Sequence, residues 1–263
     1  MASYTDQLGR NITLDHFPQR IISLVPSQTE LLYYLSLRDE TIGITKFCIH
    51  PDTWFRTKTR VGGTRDIKPD IVRKLQPDLI IANKEENQKD QVEALAQHYP
   101  VWVSDINNLS DALDMIRSVG KLTGRETAAI SLADEIHRRF ASLSLPSISP
   151  APRTAYFIWR NPWMVAGGDV FIHDMLQKAG FDNIFGAQKR YPSIELETLA
   201  RLDCKMVLLS SEPYPFSEKH IDEIRAVLPE ADIRLVDGEM FSWYGSRLLE
   251  APAYFQELRG RMI

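Results

Sequence analysis

Short apolar, β-branched runs alternate with helix-period segments along the whole chain, and this alternation constrains the fold before any single residue is considered. In the first half IISLV (21 to 25) leads into SQTELLYYLSL, LIIA (79 to 82) into a charged helical stretch near 88 to 97, and VWVS (101 to 104) closes the series. The second half repeats the rhythm with TAYFIW (154 to 159), MVLLSS (206 to 211) and IRLVD (233 to 237). A strand that feeds a helix and then another strand must cross over, so its strands lie parallel and its helices cover the sheet. Two α/β units with parallel sheets are predicted.

The halves also agree in spacing. Asp70 lies five residues before Leu75 and nine before Leu79; Glu197 lies five before Leu202 and nine before Met206, an offset of 127. The strands that start at Val101 and Ile233 are offset by 132, and those led by Arg20 and Arg153 by 133. One sheet topology used twice accounts for this. Between the halves, residues 109 to 143 read as helix with a corner at Thr123 and Gly124. Ala129, Leu132, Ala133, Ile136, Phe140 and Leu143 share one apolar face, and SLPSISPAPR, with three prolines, ends the run. A helix of about 20 residues spans roughly 30 Å, the width of a small lobe, so it can act as a strut. The expected division is an N-terminal α/β lobe at 1–108, a connecting helix at 109–143 and a C-terminal α/β lobe at 152–263.

A chain of 263 residues with 44% apolar and 25% charged side chains supports such cores. With 31 basic against 35 acidic groups the net charge is −4, which disfavours a broad phosphate-binding surface, so nucleic acid is not an expected partner. No run approaches the ~20 apolar residues that span a bilayer. The start, MASYTDQLGRNITL, has neither a basic nor an apolar leader region, so the chain as written carries no export signal. Either a signal was removed or the protein works in the cytoplasm. Cys48 and Cys204 fall in opposite halves without C-x-x-C spacing, which argues against a disulfide or a metal finger; Cys204 reads as a small buried filler.

Several segments combine local structural duty with candidate chemistry. In PSQTE, Ser27 can cap the helix that follows and Glu30 can complete a capping box, at a helix start on the carboxyl side of a strand. KFCIHPDTW (46 to 54) places Cys48, His50 and Trp54 in one loop; His50 is either a pocket contact or ordinary loop packing, and too few ligands lie nearby for a metal cage. In WRNPWMVAGGDVFIHDMLQKAGF (159 to 181), Asp169 reads as an N-cap, and Gly167 and Gly168 lack the context of a nucleotide-binding loop. Trp159, Arg160 and Trp163, aromatics beside a guanidinium, suit a flat and partly anionic ligand, or else pack on the sheet. EMFSWYGSR (239 to 247) carries Phe241, Trp243 and Tyr244 without a core period, which favours a pocket wall over core. G-x-S-x-G, H-E-x-x-H and Walker motifs are absent from the sequence, so no catalytic residues are assigned and an enzyme is not expected.

In order and spacing, DQLGR (6 to 10), RIISLVPSQTELLYYL, LQPDLIIANKEEN, GGDVFIHDMLQKAGFDNIF and LARLDCKMVLL resemble the class III solute-binding proteins of ABC importers, the group of vitamin B12-binding proteins and ferric siderophore receptors. The resemblance implies two Rossmann-like lobes on a rigid helix, a ligand cleft between them, no cofactor and no resident metal. A metal chelate such as a corrinoid, ferric siderophore or haem-like molecule would be the cargo. It implies an extracytoplasmic monomer that delivers this cargo to an ABC permease. Asp70 and Glu197 match acids that dock onto permease arginines; the alternative is a first-turn acid favoured by its helix dipole. His50, Tyr191 and Phe241 match aromatic positions of the B12 receptor pocket, whereas Thr64 and Asn83 stand where that receptor carries tryptophans. Lys46, Lys84, Glu85, Glu86, Arg160 and Arg190 make the implied cleft more polar. An alternative on the same scaffold is a cytoplasmic chelate-handling protein or enzyme.

Overall fold

The structure, a computed structural model, describes residues 2–146 and 149–261; Ser147 and Ile148 of the proline-rich stop lie outside the described residues. Two compact units result. The first comprises Met1–Ile106, Ser110–His137 and Tyr244–Arg247, the second Asn107–Leu109, Arg138–Trp243 and Leu248–Ile263.

In the first unit, strands β1 (Ala2–Thr5) and β2 (Asn11–Leu14) form an antiparallel hairpin. There follow β3 (Ile21–Ser23), α1 (Pro26–Tyr34), β4 (Thr41–Ile44), α2 (Asp52–Thr57), β5 (Thr59–Arg60), α3 (Pro69–Leu75), β6 (Leu79–Asn83), α4 (Lys89–Ala96) and β7 (Val101–Ser104). The sheet runs β5-β4-β3-β6-β7, and its neighbours are parallel throughout. Every residue of β3, β6 and β7 is buried, as expected of strands covered on both faces. The DQLGR turn covers the free edge of β7. Asp6, 4% exposed, accepts from the backbone N–H groups of Leu8, Arg10 and Val103, while Gln7 N–H donates to Val103 O at 3.1 Å.

The helical stretch that follows is two helices, α5 (Leu109–Leu122) and α6 (Glu126–Ala141), which meet at the corner expected at Thr123 and Gly124. Gly124 takes φ +70°, a left-handed conformation that stops α5, and a Cβ on Gly120 would come within 2.1 Å of Ala129 Cβ. Ala129, Leu132, Ala133, Ile136 and Phe140 are all buried, as the apolar face read from the sequence requires, whereas Leu143, its last expected member, lies past the end of α6 and is half-buried. At 16 residues α6 is about 24 Å long.

The second unit contains β8 (Arg153–Trp159), β9 (Met164–Val165), α7 (Phe171–Lys178), β10 (Asp182–Asn183), α8 (Glu197–Arg201), β11 (Met206–Ser210), α9 (Glu218–Arg225), β12 (Asp232–Val236), α10 (Glu239–Ser242) and α11 (Ala251–Gly260). Its parallel order β10-β8-β11-β12, with β9 antiparallel on β8, repeats the order β4-β3-β6-β7. Registers repeat as well. Leu79 faces Ile21 as Met206 faces Thr154, and Ile80 faces Val101 as Val207 faces Ile233, so the sequence offsets of 127, 132 and 133 reappear as strand pairings.

The amino edges of the two sheets are built alike. Arg20 Nε donates to Leu75 O at 3.0 Å and to Gln76 O at 3.1 Å; Arg153 Nη2 donates to Leu202 O at 2.8 Å. Asp78 N–H reaches Arg20 O at 3.0 Å, and Lys205 N–H reaches Arg153 O at 2.9 Å. The turns between these contacts pass through left-handed residues, Gln76 at φ 43° and Asp203 at φ 50°. Around them the second core packs Ala155, Phe157, Phe185, Leu199, Val207 and Ile224, with Cys204 as the small filler read from the sequence. Burial pushes the Cys204 thiol up to about 11.

Candidate ligand-binding site

Open parallel sheets present their ligand loops at the carboxyl ends of the strands, where strand order reverses. In the first unit that point lies between β3 and β6, and a network of amides and hydroxyls fills it. Asn83, at the end of β6 and 2% exposed, accepts at Oδ1 from the N–H groups of Glu85 (2.8 Å) and Glu86 (3.0 Å). Its Nδ2 donates to Ser104 Oγ at 3.0 Å, and Gln28 Nε2 donates to the same hydroxyl. Asn87 Nδ2 reaches Thr64 O at 2.9 Å, and Asn87 Oδ1 accepts from Asn83 N–H at 2.9 Å. Asn83 therefore orders the loop after β6 from a buried position, where the resemblance suggested a ligand contact.

Helix α1 begins one residue earlier than expected. Pro26 occupies its first position, Val25 is the N-cap, and no side chain caps the helix, because a proline that lacks an N–H suits that position. Ser27 is thus not a cap. Glu30, instead of closing a capping box, accepts from Arg247 Nη2 at 2.6 Å and Nε at 3.2 Å. Cys48 is fully buried; its thiol receives Thr29 Oγ1 at 3.1 Å and sits 3.2 Å from Thr45 Oγ1. Burial raises the Cys48 thiol, which disfavours the thiolate that a metal would require. His50 and Thr64 are half-buried in the loops after β4 and β5. Trp54 lies in α2 at 4% exposure, edge-on to Tyr33 at 5.3 Å and under the Lys58 ammonium at 5.1 Å, so it is core. The exposed apolar side chains of its segment are instead Phe47 (51%) and Ile49 (44%), which the sequence reading passed over.

The second unit's carboxyl edge is aromatic. Trp159 leaves the end of β8 at 40% exposure with its ring edge-on to Tyr214 at 5.6 Å. Trp163 stacks on Phe216 at 6.1 Å with the planes 6° apart. The Arg160 guanidinium lies 5.3 Å over Trp163 and donates through Nε and Nη2 to Glu223 Oε2 at 2.9 and 2.7 Å. Tyr214, Phe216, His220 and Glu223 thereby join the three residues that sequence singled out. The signal for the first three was present as PYPFSEKH, where Ser217 and His220 form a capping box for α9. Half-buried Tyr191 lies 5.7 Å beneath the Arg190 guanidinium.

Four expectations change, at Asp169, Phe241, Trp243 and Tyr244. Segment 239–242 is helix α10, not loop, and Phe241 is fully buried against Tyr156 (5.1 Å) and Phe255 (4.9 Å); its ring is core because a helical turn directs it onto α11. Trp243, 5% exposed, donates its indole N–H to Glu212 Oε1 at 2.8 Å, where Ser242 Oγ also donates at 2.6 Å. Tyr244 is 6% exposed and belongs to the first unit. Asp169 caps nothing, since α7 starts at Phe171 after Val170; its carboxylate accepts from Arg190 N–H. Gly167 and Gly168 are needed for close approach to the 186–190 loop: a Cβ would come within 2.5 Å of Gln188 O or 1.9 Å of Gly186 O. Burial also holds the Glu212 carboxyl above the usual carboxylate range, against the lowering effect of the Ser242 hydrogen bond.

Asp70 and Glu197 are exposed in the first turns of α3 and α8, the helices that lead into β6 and β11. Asp70 also pairs with Arg73 at 3.2 Å across open solvent. Among the described residues no group of three or more His, Cys, Asp or Glu is placed to hold a metal ion, and no helix is long and apolar enough to cross a membrane.

Two α/β units of one topology, each with a distinct set of loops at its carboxyl edge, define a two-lobed ligand-binding protein. The chain belongs to the periplasmic binding protein family, whose model matches residues 21–228. This is a family of transport binding proteins, not enzymes, and what its members bind is cargo and not a cofactor. The chain is 24% identical over 258 residues to an ABC transporter substrate-binding lipoprotein of Bacillus subtilis, a match covering 93% of this chain and 81% of that protein. It is 25% identical over 183 residues to the vitamin B12-binding protein of Vibrio vulnificus, covering 68% of this chain and 66% of that one. The fold is shared with a solved structure from Staphylococcus epidermidis described as a possible iron-binding, periplasmic solute-binding protein (TM-score 0.78, 24% identity, 94% of this chain and 99% of that one).

Proposed function

We propose that this protein is the receptor of an ABC importer that captures a metal chelate outside the cytoplasm and hands it to the permease. The observation that supports this most directly is the carboxyl edge of the second unit, aromatic and cationic at Trp159, Arg160 and Trp163, on a family scaffold. Flat chelates carry an apolar face, which rings beside a guanidinium complement. His50, Thr64 and Tyr191, half-buried on the loops, are the further contacts we assign. A relative that binds vitamin B12 and a fold neighbour described as a possible iron-binding protein point to the same ligand class.

Asp70 and Glu197 act as the docking pair, one acid per unit in equivalent register, suited to a permease with two-fold symmetry. Complementary charge at such positions steers encounter and fixes register more than it adds affinity. Titration of the purified protein with corrinoids, haem and ferric chelates, read by tryptophan quenching, should give at least one dissociation constant near micromolar or tighter. No binding below about millimolar across the panel would refute the receptor reading. Asp70→Ala combined with Glu197→Ala should abolish uptake in reconstituted vesicles and leave ligand affinity unchanged; undiminished uptake would remove the docking assignment.

A further inference from the structure

The aromatic edge of the second unit hangs on one turn of helix. Ser217 and His220 close a capping box at the start of α9, with histidine in the place where glutamate or glutamine is usual. His220, 1% exposed, accepts the Ser217 N–H at Nδ1 (3.0 Å), and its Nε2 meets Tyr214 Oη at 3.2 Å. A backbone N–H only donates, so Nδ1 carries no proton and the ring is the neutral tautomer that donates from Nε2 to Tyr214. The same imidazole packs edge-on against Tyr214 at 5.4 Å and Phe216 at 5.3 Å. Those two rings hold side chains assigned above to the ligand: Tyr214 meets Trp159 at 5.6 Å, and Phe216 stacks on Trp163. One turn further along α9, Glu223 holds Arg160. The placing of all three therefore depends on how α9 begins.

Histidine changes what such a cap can do. The oxygens of glutamate or glutamine remain acceptors at any pH near neutral, whereas an imidazole that takes a second proton becomes a donor at both nitrogens. The Ser217 N–H would then face another N–H in place of a lone pair. Even if Ser217 Oγ, 3.2 Å from Nδ1, turns to accept the new proton, the backbone donor loses its partner. Among the described residues neither ring nitrogen meets a carboxylate. Their partners are Ser217 and Tyr214; Arg160, just past β8, is taken up by Glu223, and Glu218, Lys219 and Asp222 of α9 are exposed. Helix ends open more readily than helix interiors, which gives water a route to Nδ1.

We infer that His220 is a positioning residue that makes cargo binding sensitive to pH: its neutral ring holds Trp159, Trp163 and Arg160 in place, and a proton on Nδ1 loosens them. The effect on cargo rests on the receptor reading above; the movement of the rings does not. The first arm of the test needs no chelate. With fluorotryptophan in place of tryptophan, the fluorine NMR signals of Trp159 and Trp163, identified through Trp159→Phe and Trp163→Phe, should shift together as the pH is lowered from about 7.5 to about 5.5. His220→Gln, which supplies a cap acceptor and a donor for Tyr214, should remove that shift. The second arm measures binding of cyanocobalamin and ferrichrome, whose own charges are constant over this range. Wild-type affinity should fall with pH, by no more than the one-proton limit of about tenfold per pH unit, and His220→Gln should bind equally at both ends. Signals that stay still in the wild type, or that move as far in His220→Gln, overturn the inference. So does a wild-type affinity that is flat with pH, or one that falls as steeply in the variant. Signals that move while neither chelate, nor haemin, binds at any pH refute the receptor reading and leave the coupling of the rings to His220 standing.

Discussion

At the amino edges of the two sheets, Arg20 and Arg153 close the same turn on carbonyls 127 residues apart, through a left-handed residue in each case. At the carboxyl edges β6 and β11 still end on equivalent acceptors, Asn83 for Glu85 N–H and Ser210 for Glu212 N–H, but the groups around them differ: amides and hydroxyls gather around Ser104 in one unit, and stacked rings around Phe216 in the other. Both amino edges perform one geometric task, turning a short helix into a central strand, and only a narrow set of residues satisfies its hydrogen bonds. The loops at the other edge are held by the sheet but not dictated by it, so their chemistry is free to differ. Sameness marks scaffold, and the contacts proposed above for a ligand lie where the two units differ.

That contrast can be broken most easily at Phe241, which sits near the variable edge yet is counted here as scaffold. Phe241→Ala should cost about 3–5 kcal/mol, a value typical of emptied aromatic core sites, in urea unfolding. A stable variant that loses chelate binding would return Phe241 to the pocket. Next in size, Arg20→Ala and Arg153→Ala should each cost about 0.5–1.5 kcal/mol by loss of equivalent, largely exposed hydrogen bonds. Midpoints that fall together support a shared device; a large effect at one arginine alone would end the equivalence.

A smaller effect concerns pH. The amides and hydroxyls of the first edge do not titrate, but Glu212 at the second does, and burial raises its carboxyl above the ordinary 4.5. Its contribution to stability is full below about that ordinary value and is lost as pH rises through the raised folded-state value. Glu212→Gln keeps an acceptor for Ser242 and Trp243, so its melting midpoint should exceed the parent's at pH 7 and match it near pH 4. A lower midpoint at pH 7 would contradict the sign. Smallest of all, Trp159→Ala should change stability by no more than about 0.5 kcal/mol, as expected of a 40% exposed ring, while chelate affinity falls.

Strand positions, the helical corner at Gly124 and the paired acids were legible in the sequence because each leaves a local period or a fixed spacing. Helix starts were less so: a serine three residues before a glutamate mimics a capping box, but Pro26 takes the first helical position and shifts the frame. Phe241 was misplaced because EMFSWYG carries too few residues for a helical period to stand out. Contacts between distant segments were invisible to spacing altogether, among them Arg160 with Glu223, 63 residues apart, and Gln28 with Ser104, 76 apart. What recognition requires is written mainly in pairs of that kind, which is why His50, Thr64 and Tyr191 could be named from the sequence but not supplied with neighbours.

The return of Tyr244–Arg247 to the first unit has a practical corollary for anyone who wishes to take the protein apart. A gene fragment ending at residue 143 encodes every strand of the first sheet yet omits the arginine that pairs with Glu30, 217 positions upstream of it. No single cut in the chain separates the two units whole. A circular permutant that opens the chain elsewhere keeps this thread intact, and it is the better starting point for building a sensor from this scaffold.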